Sequence, residues 1–120
     1  MKDNNVVKEK SYAFAVRIVK LYKYLCDEKK EFTLSKQLLR SGTSIGANLE
    51  EAIGGHTDKD FMAKMSISYK ECRETHFWLR LLNDTDYLTK IEFVSIIKDC
   101  DELLKLLGSI IKTMKERIKN

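Results

Sequence analysis

The sequence predicts an all-α protein, an antiparallel up-down-up-down four-helix bundle that forms a single domain over residues 1–120. The chain contains no proline and only five glycines, and 33% of its residues are charged. A composition rich in Lys and Glu favours helices over sheets and tight hairpins. Apolar residues recur at alternating spacings of three and four, the period of one helix face. With 43% apolar residues, the chain is long enough for one core and too short for two.

The first predicted helix runs from Tyr12 to Cys26, where only Arg17, Lys20 and Lys23 are charged. At 100° per residue these three cover about a third of the circumference and leave the rest apolar. A helix of an isolated bundle buries a narrower stripe. The surplus apolar surface predicts a subunit interface, and therefore a homo-oligomer.

The second predicted helix follows the polar run 27–31, and either Thr33 or Ser35 can cap it. Gly54 and Gly55 supply a predicted stop in the left-handed conformation that glycine tolerates.

Two glycines lie inside this second helix, and each costs roughly 1 kcal/mol relative to alanine. Gly42 falls in the predicted buried seam, with Gly46 beside it, so that another helix can approach closely. We expect the space to be filled by a bulky ring, from Trp78 or a tyrosine of the first helix, or by a neighbouring backbone.

Capping signals place the last two helices. Thr57 with Asp60 begins the third helix, which extends to Asn83, and the capping box Thr89–Glu92 begins the fourth. A second apolar row on the fourth helix consists of Ile96, Leu103 and Ile110. Its main predicted seam has spacings of four and three and consists of Phe93, Ile97, Cys100, Leu104, Leu107, Ile111, Met114 and Ile118.

The sequence contains none of the motifs expected of an enzyme or a metal protein. A di-iron bundle needs Glu three residues before His, but Ile53 and Arg73 hold those positions relative to His56 and His76. There is no P-loop and no dinucleotide-binding glycine motif. We therefore expect no catalytic residues, no metal and no cofactor. An enzyme acting through His76 and Glu74 remains as a distant alternative.

The chain is expected to be cytoplasmic and to have no membrane partner. It lacks an apolar run long enough for a membrane span, and its N-terminus lacks the apolar run of a signal peptide. Cys26, Cys72 and Cys100 are widely spaced on apolar stripes, which predicts reduced structural thiols.

Basic residues on the first two helices are candidates for binding nucleic acid. The net charge of +4 is compatible with an anionic partner. The alternative is that these residues are the solvated sides of amphipathic helices, and the basic C-terminal residues, including Lys112 and Lys115, suit the negative end of a helix dipole. The candidate phosphate contacts are Arg17, Lys20, Lys23, Lys36 and Arg40.

Polar residues also stand among apolar ones on the second and third helices. Arg40, Ser44, Asn48 and Glu51 recur at spacings of four, four and three and so share one side of the second helix. They predict either a hydrogen-bond and salt-bridge network between helices or a ligand site.

These residues carry a family resemblance. The segment RSGTSIGANLEEA, Arg40–Ala52, resembles the signature of small bacterial four-helix-bundle proteins encoded within intervening sequences of 23S ribosomal RNA genes. The segment Tyr69–Leu82 resembles the second signature of that family, with Cys72 in place of alanine and Phe77 in place of tyrosine. The signature residues are Gly42, Ser44, Gly46, Asn48, Glu51, Glu71, Glu74 and Trp78.

The resemblance implies a homopentameric ring, whereas the sequence pattern alone predicts only an oligomer. A related family, the accessory proteins of diversity-generating retroelements, forms basic rings that bind nucleic acid and a reverse transcriptase. Two functions are therefore open: a non-catalytic oligomer that binds RNA or DNA through a basic surface, or a pentameric scaffold for a protein partner.

Overall fold

Four helices account for nearly all of the computed structural model, which describes residues 2–119 and the side chains of residues 4–119. The helices are α1 (Lys2–Asp27), α2 (Leu34–Ile53), α3 (Asp58–Asp84) and α4 (Lys90–Lys119). Each helix packs on the next and α4 packs on α1, so the four form a closed square. The bundle measures 50 × 21 × 20 Å, and no strand occurs in the described range. The predicted all-α class with four helices is confirmed.

Neighbouring helices run antiparallel, as hydrogen bonds between α2 and α3 illustrate. The hydroxyl of Ser68 donates to the carbonyl of Ile45 at 2.8 Å, and the hydroxyl of Thr75 lies 2.9 Å from that of Ser41. Partner numbers fall on α2 as they rise on α3, so the two chain directions oppose each other. These buried hydrogen bonds also fix how α2 and α3 align.

The core is a column of apolar side chains contributed by all four helices, including Phe14, Ile18, Leu38 and Leu79. On α4 the predicted main seam is wrong, because the helix is rotated about its axis so that another set of residues faces the core. The buried residues are Ile96, Cys100, Leu103, Leu107, Ile110 and Met114. Phe93, Ile97, Leu104 and Ile111 are only half-buried, and Ile118 is exposed. The predicted second row therefore lies at the centre of the buried face, because α4 packs on α3 and α1 at once.

The start of α2 depends on a carboxylate that the capping patterns of the sequence do not indicate. Thr33 is the N-cap residue, but its side chain makes no capping hydrogen bond. Both oxygens of Glu31 instead accept hydrogen bonds from the backbone N–H groups of Thr33, Leu34 and Ser35 at 2.7–3.1 Å. Ser35 as N-cap is wrong, because this residue lies inside the helix and its hydroxyl donates to the Glu31 carbonyl.

The other helix starts follow the local signals, with one exception. Thr57 accepts from the backbone N–H of Asp60 at 3.0 Å, and Thr89 and Glu92 bond each other reciprocally. These two predicted starts are confirmed. The first helix begins at Lys2 instead of Tyr12, because the polar N-terminal segment continues the helix without an uninterrupted apolar face.

The predicted left-handed stop of α2 is wrong. Gly54 has φ −81° and ψ 0°, a right-handed conformation, and no glycine of the described chain has positive φ. Gly55 has another reason to be small: an added Cβ would lie 3.1 Å from the carbonyl oxygen of Ala52 and 3.3 Å from the Cβ of Asp60.

The interior glycines of α2 allow α1 to approach closely. A Cβ added at Gly42 would lie 2.8 Å from both γ carbons of Ile18. A Cβ at Gly46 would lie 3.4 Å from the Ser11 hydroxyl and 3.6 Å from its backbone oxygen. The predicted close approach is therefore present, but an aliphatic side chain and a serine fill the space. The expected ring from Trp78 or a tyrosine is wrong.

Two of the three cysteines face each other across α3 and α4. Cys72 and Cys100 are fully buried, and their sulfur atoms lie 3.9 Å apart as thiols. The hydrogen bond with Cys72, together with burial, raises the pKa of the Cys100 thiol far above its ordinary value. Cys72 and Cys100 are therefore part of the packed core, and Cys26 is a half-buried thiol near Ser35.

Within residues 2–119, no helix combines the length and the apolar character that crossing a bilayer would need.

Candidate nucleic-acid interface

Among the candidate phosphate contacts, Arg17 makes the most hydrogen bonds to α4. Its guanidinium donates to the Asp99 carboxylate at 2.7 Å, to the Ser95 hydroxyl at 3.0 Å and to the Ser95 carbonyl at 3.3 Å. Lys10, on the same side of α1, lies 2.9 Å from Glu102, which raises the pKa of this lysine. Both cations therefore help to hold α1 against α4, and their charge is partly neutralised within the chain.

Arg40 occupies a polar cluster on the outer side of α2 and α3. Its guanidinium donates to Glu71 at 3.0 Å and also to Glu74. The Glu74 carboxylate accepts a further hydrogen bond from the Trp78 indole at 2.9 Å. One cation between two carboxylates supports the predicted network between helices at this position.

The remaining members of that predicted network behave differently from one another. Glu51 reaches Lys64 on α3 at 3.2 Å. Ser44 and Asn48 instead bond the carbonyls of Arg40 and Ser44, respectively, within α2. For these two residues the prediction of a cross-helix network is wrong, because side chains this short reach the carbonyl one turn back more readily than a neighbouring helix.

Lys20, Lys23 and Lys36 are the candidate lysine contacts, and all three are exposed. They lie where α1 ends and α2 begins, together with Lys29 and Lys30 of the connecting loop. None of these lysines forms an ion pair with another residue of the described range 4–119. Their charge is therefore directed to solvent, and at this end of the bundle it is available to an anion.

The excess positive charge lies on two adjacent helices. The α1 segment contains six lysines and arginines against three acidic residues, and α4 contains seven against five. The charges of α2 and α3 balance, with two and five of each sign, respectively. The excess positive charge therefore belongs to α1 and α4, two helices that pack on each other.

The two most exposed large apolar side chains of the described residues lie on the same two helices. Ile91 is 84% exposed, Tyr12 71% and Val94 54%. A groove of about 440 Å³ separates the helices here, and its apolar lining includes Leu21, Tyr24 and Ile91. Apolar surface beyond the core is therefore present on α1, as predicted for the first helix. It is present on α4 as well, where the predicted second row is buried and other residues are exposed.

The histidines make ordinary contacts. His76 accepts from the Arg80 guanidinium through Nδ1 at 3.1 Å, and its Nε2 lies 3.0 Å from Asp101. His56 is exposed in the turn before α3. Within the described residues, no group of three His, Cys, Asp or Glu side chains is arranged to hold a metal ion.

The partners of Arg17 and Lys10 could not be found from the sequence. Asp99 and Glu102 stand three residues apart on α4 and meet cations seven residues apart on α1. The only available signal is that an acidic side of α4 complements a basic side of α1. That signal becomes useful only when the rotation of both helices is known.

Known proteins resemble this chain closely. The chain is 55% identical in sequence to a protein from the S23 ribosomal protein family, from Bacteroides thetaiotaomicron VPI-5482. The crystal structure of that protein is described as that of a protein with unknown function. The two structures match with a TM-score of 0.90, over 92% of this chain and 98% of that chain. No curated protein matches the chain. The family model described as 23S rRNA-intervening sequence protein matches residues 3–109. The resemblance carried by the two signatures is confirmed, and the chain belongs to the 23S rRNA-intervening sequence protein family.

Proposed function

We propose that the protein is a non-catalytic, oligomeric bundle that binds RNA or DNA through a basic surface. The observation that carries this proposal is the excess of positive charge on α1 and α4, together with exposed lysines that no described carboxylate neutralises. Phosphate binding by lysine needs little more than exposed cations at the spacing of a backbone. Lys20, Lys23 and Lys36 are the contacts that this proposal assigns.

Oligomerisation is the second part of the proposal. Exposed apolar side chains on α1 and α4, such as Tyr12 and Ile91, gain free energy when another copy covers them. The family resemblance suggests a pentameric ring. Five copies would combine a charge of +4 each on one particle, and electrostatic attraction for a polyanion grows with that charge.

Binding to a structured RNA, measured by fluorescence anisotropy, tests the proposal. We expect Lys20→Glu with Lys23→Glu to weaken binding strongly at low salt, because two phosphate contacts become repulsive. The variant Lys20→Arg with Lys23→Arg keeps the charges and is expected to bind as the wild type does. If wild-type protein does not bind RNA or DNA at low salt, the proposal is wrong.

A protein scaffold is a second candidate, and one observation favours it. Phe77 is 47% exposed on α3, where its ring packs edge-on against Trp78 and lies 5.9 Å from the Arg80 guanidinium. An exposed aromatic side chain beside arginine is typical of protein contact sites. A photo-crosslinking residue at position 77 should then capture one partner protein in cells. Crosslinks to other copies of the chain alone would contradict this role.

A further inference from the structure

A second groove lies between α3 and α4, on a side of the bundle that the candidate contacts above do not reach. Its volume is about 390 Å³, and none of its lining residues carries a negative charge. The lining consists of Ser66, Tyr69, Gly108, Ile111, Lys112 and Lys115. By contrast, the groove between α1 and α4 includes the carboxylate of Glu92. The α3/α4 groove is therefore a basic, carboxylate-free hollow.

The two lysines of the groove belong to a longer row along α4. Lys105, Lys112, Lys115 and Lys119 are exposed and lie seven, three and four residues apart, which places them on one side of the helix. None of them forms an ion pair with a described residue. The carboxylates nearest to this row along α4 are Glu116, Asp101 and Glu102. Asp101 is bound to His76 and Glu102 to Lys10.

Residues of α3 add to the positive charge. Lys70 and Arg73 follow Ser66 and Tyr69 by four residues each, so each lies one turn above a residue of the groove. Both are exposed, and neither forms an ion pair within residues 4–119. Cations from two helices therefore border the groove.

The helix dipole does not account for the lysine row. Its effect falls off within the last turn of a helix, and α4 ends at Lys119. Lys105, Lys112 and Lys115 precede that turn. Like charges three or four residues apart also destabilise a helix by about 0.2–0.5 kcal/mol per pair. Two such pairs, Lys112 with Lys115 and Lys115 with Lys119, occur in the row, and an anion that neutralised them would remove their repulsion.

Gly108 at the floor of the groove is not required by packing within the chain. A Cβ added there would lie 3.7 Å from Cε2 of Tyr69, an ordinary van der Waals distance. Glycine in the interior of a helix costs about 1 kcal/mol relative to alanine. Glycine at position 108 thus keeps the groove beside Tyr69 open and lowers the stability of the helix. No packing contact within the described part of the chain offsets this loss.

We propose that the α3/α4 groove and its lysine row bind the phosphate backbone of a nucleic acid. This second contact rests on the proposed function and adds a surface to that of Lys20 and Lys23. From Lys105 to Lys119 the helix rises about 21 Å, a length that spans about six nucleotides of one strand in a duplex. The row therefore matches a continuous stretch of backbone, which favours a nucleic acid over a small phosphate compound.

The dependence of binding on salt concentration tests this contact. The variant Lys112→Gln with Lys115→Gln keeps two good helix formers at exposed positions. With a short DNA duplex as the probe, we expect the slope of log K against log[salt] to fall in magnitude by about 1.8. A change of about 1.8 in this slope corresponds to about 60-fold in affinity over one decade of salt concentration. If wild type and variant bind equally at 1 M salt, the variant should therefore bind about 60-fold more weakly at 0.1 M salt. The control Lys112→Arg with Lys115→Arg is expected to keep the wild-type slope.

The groove itself is tested by Gly108→Leu, which keeps every charge. We expect this variant to bind the duplex more weakly while remaining as helical as the wild type by circular dichroism. If wild-type protein binds the duplex and the Lys112→Gln, Lys115→Gln variant keeps the wild-type slope and affinity, the groove is not a contact and only this inference fails. If wild-type protein binds no nucleic acid at low salt, the proposed function fails together with it.

Discussion

Gly42 lies directly against Ile18 where α1 and α2 pack together. The Cβ of an alanine at position 42 would lie 2.8 Å from both γ carbons of Ile18. These carbons branch directly from a stiff β-branched side chain, so they cannot swing aside easily. Close approach of α1 to α2 therefore depends on the absence of one methyl group.

Alanine at this position should cost stability in spite of its better helix propensity. We expect Gly42→Ala to be about 1–3 kcal/mol less stable than Gly108→Ala, because both gain helix propensity but only the former overpacks the core. Urea unfolding of the two variants measures the difference. In an Ile18→Ala background the penalty of Gly42→Ala should disappear. Equal stability of the two glycine variants would show that α1 adjusts freely.

The carboxylate of Glu31 makes the stability of the start of α2 depend on pH. Burial raises the pKa of its carboxyl, but hydrogen bonds from the backbone N–H groups of Leu34, Ser35 and Thr33 outweigh burial and hold the pKa below its ordinary value. The folded state therefore favours the ionised form. The stabilisation is complete above about pH 4.3, the ordinary pKa of glutamate, and is lost as the pH falls through the lower pKa of the folded protein.

A neutral side chain at position 31 should remove this stabilisation. We expect Glu31→Gln to lower the free energy of unfolding at pH 7 by about 1–2 kcal/mol, and the difference from wild type to shrink at acid pH. The exposed Glu28, in the same loop, provides the control Glu28→Gln, for which little change is expected. A loss of stability with Glu31→Gln that stays constant down to pH 3 would contradict the assignment of this carboxylate as the cap.

The α2 and α3 helices are joined by both buried and exposed polar contacts. The exposed contacts contribute less to the stability of the fold. Arg40 between Glu71 and Glu74 lies in a half-exposed position, where solvent screens ion pairs. We expect Arg40→Gln to cost about 1 kcal/mol or less. Because Glu74 also accepts from Trp78, the only tryptophan in the chain, the emission of this residue should shift. Lys36→Gln on the same helix should leave the emission unchanged.

Helix starts that depend on nearby residues could be predicted from the sequence, whereas the partner residues in contacts between helices could not. The caps at Thr57 and Thr89 involve residues three positions apart, so local patterns identify them. The Glu31 cap has no such pattern, because glutamate is not among the preferred N-cap residues and Glu31 stands two residues before the N-cap Thr33. The rotation of α4 could not be predicted because two apolar rows compete on it, and only packing against α1 and α3 decides between them.

The candidate nucleic-acid interface, too, could be predicted from the sequence only in part. Its residue types and helix positions could be read from the sequence, but the neutralisation of Arg17 by Asp99 depends on how α1 and α4 face each other. The lysines of α4 indicate no ligand in the sequence, because exposed lysines are equally typical of the solvated side of an amphipathic helix. The groove beside Tyr69 and Gly108 becomes evident only when α3 and α4 are placed together.

Assembly of several chains should depend on the exposed apolar residues of α1 and α4. Ile91 and Val94 are 84% and 54% exposed, so burial of both by a neighbouring copy would contribute a few kcal/mol, at about 25 cal/mol per Å². We expect Ile91→Glu with Val94→Glu to reduce the mass of the particle in native mass spectrometry. Ile67→Glu, at an exposed position on α3, is the matched control and should leave the mass unchanged. Wild-type protein at the mass of one 14.0 kDa chain would contradict the proposed assembly.

Sedimentation velocity of a fluorescently labelled structured RNA tests the central claim most directly, because it reports assembly and binding together. At low salt the account predicts that the RNA sediments with a particle much heavier than one 14.0 kDa chain and is released as salt is raised, since phosphate contacts weaken with ionic strength. An RNA whose sedimentation at low salt is unchanged by excess protein would contradict the account.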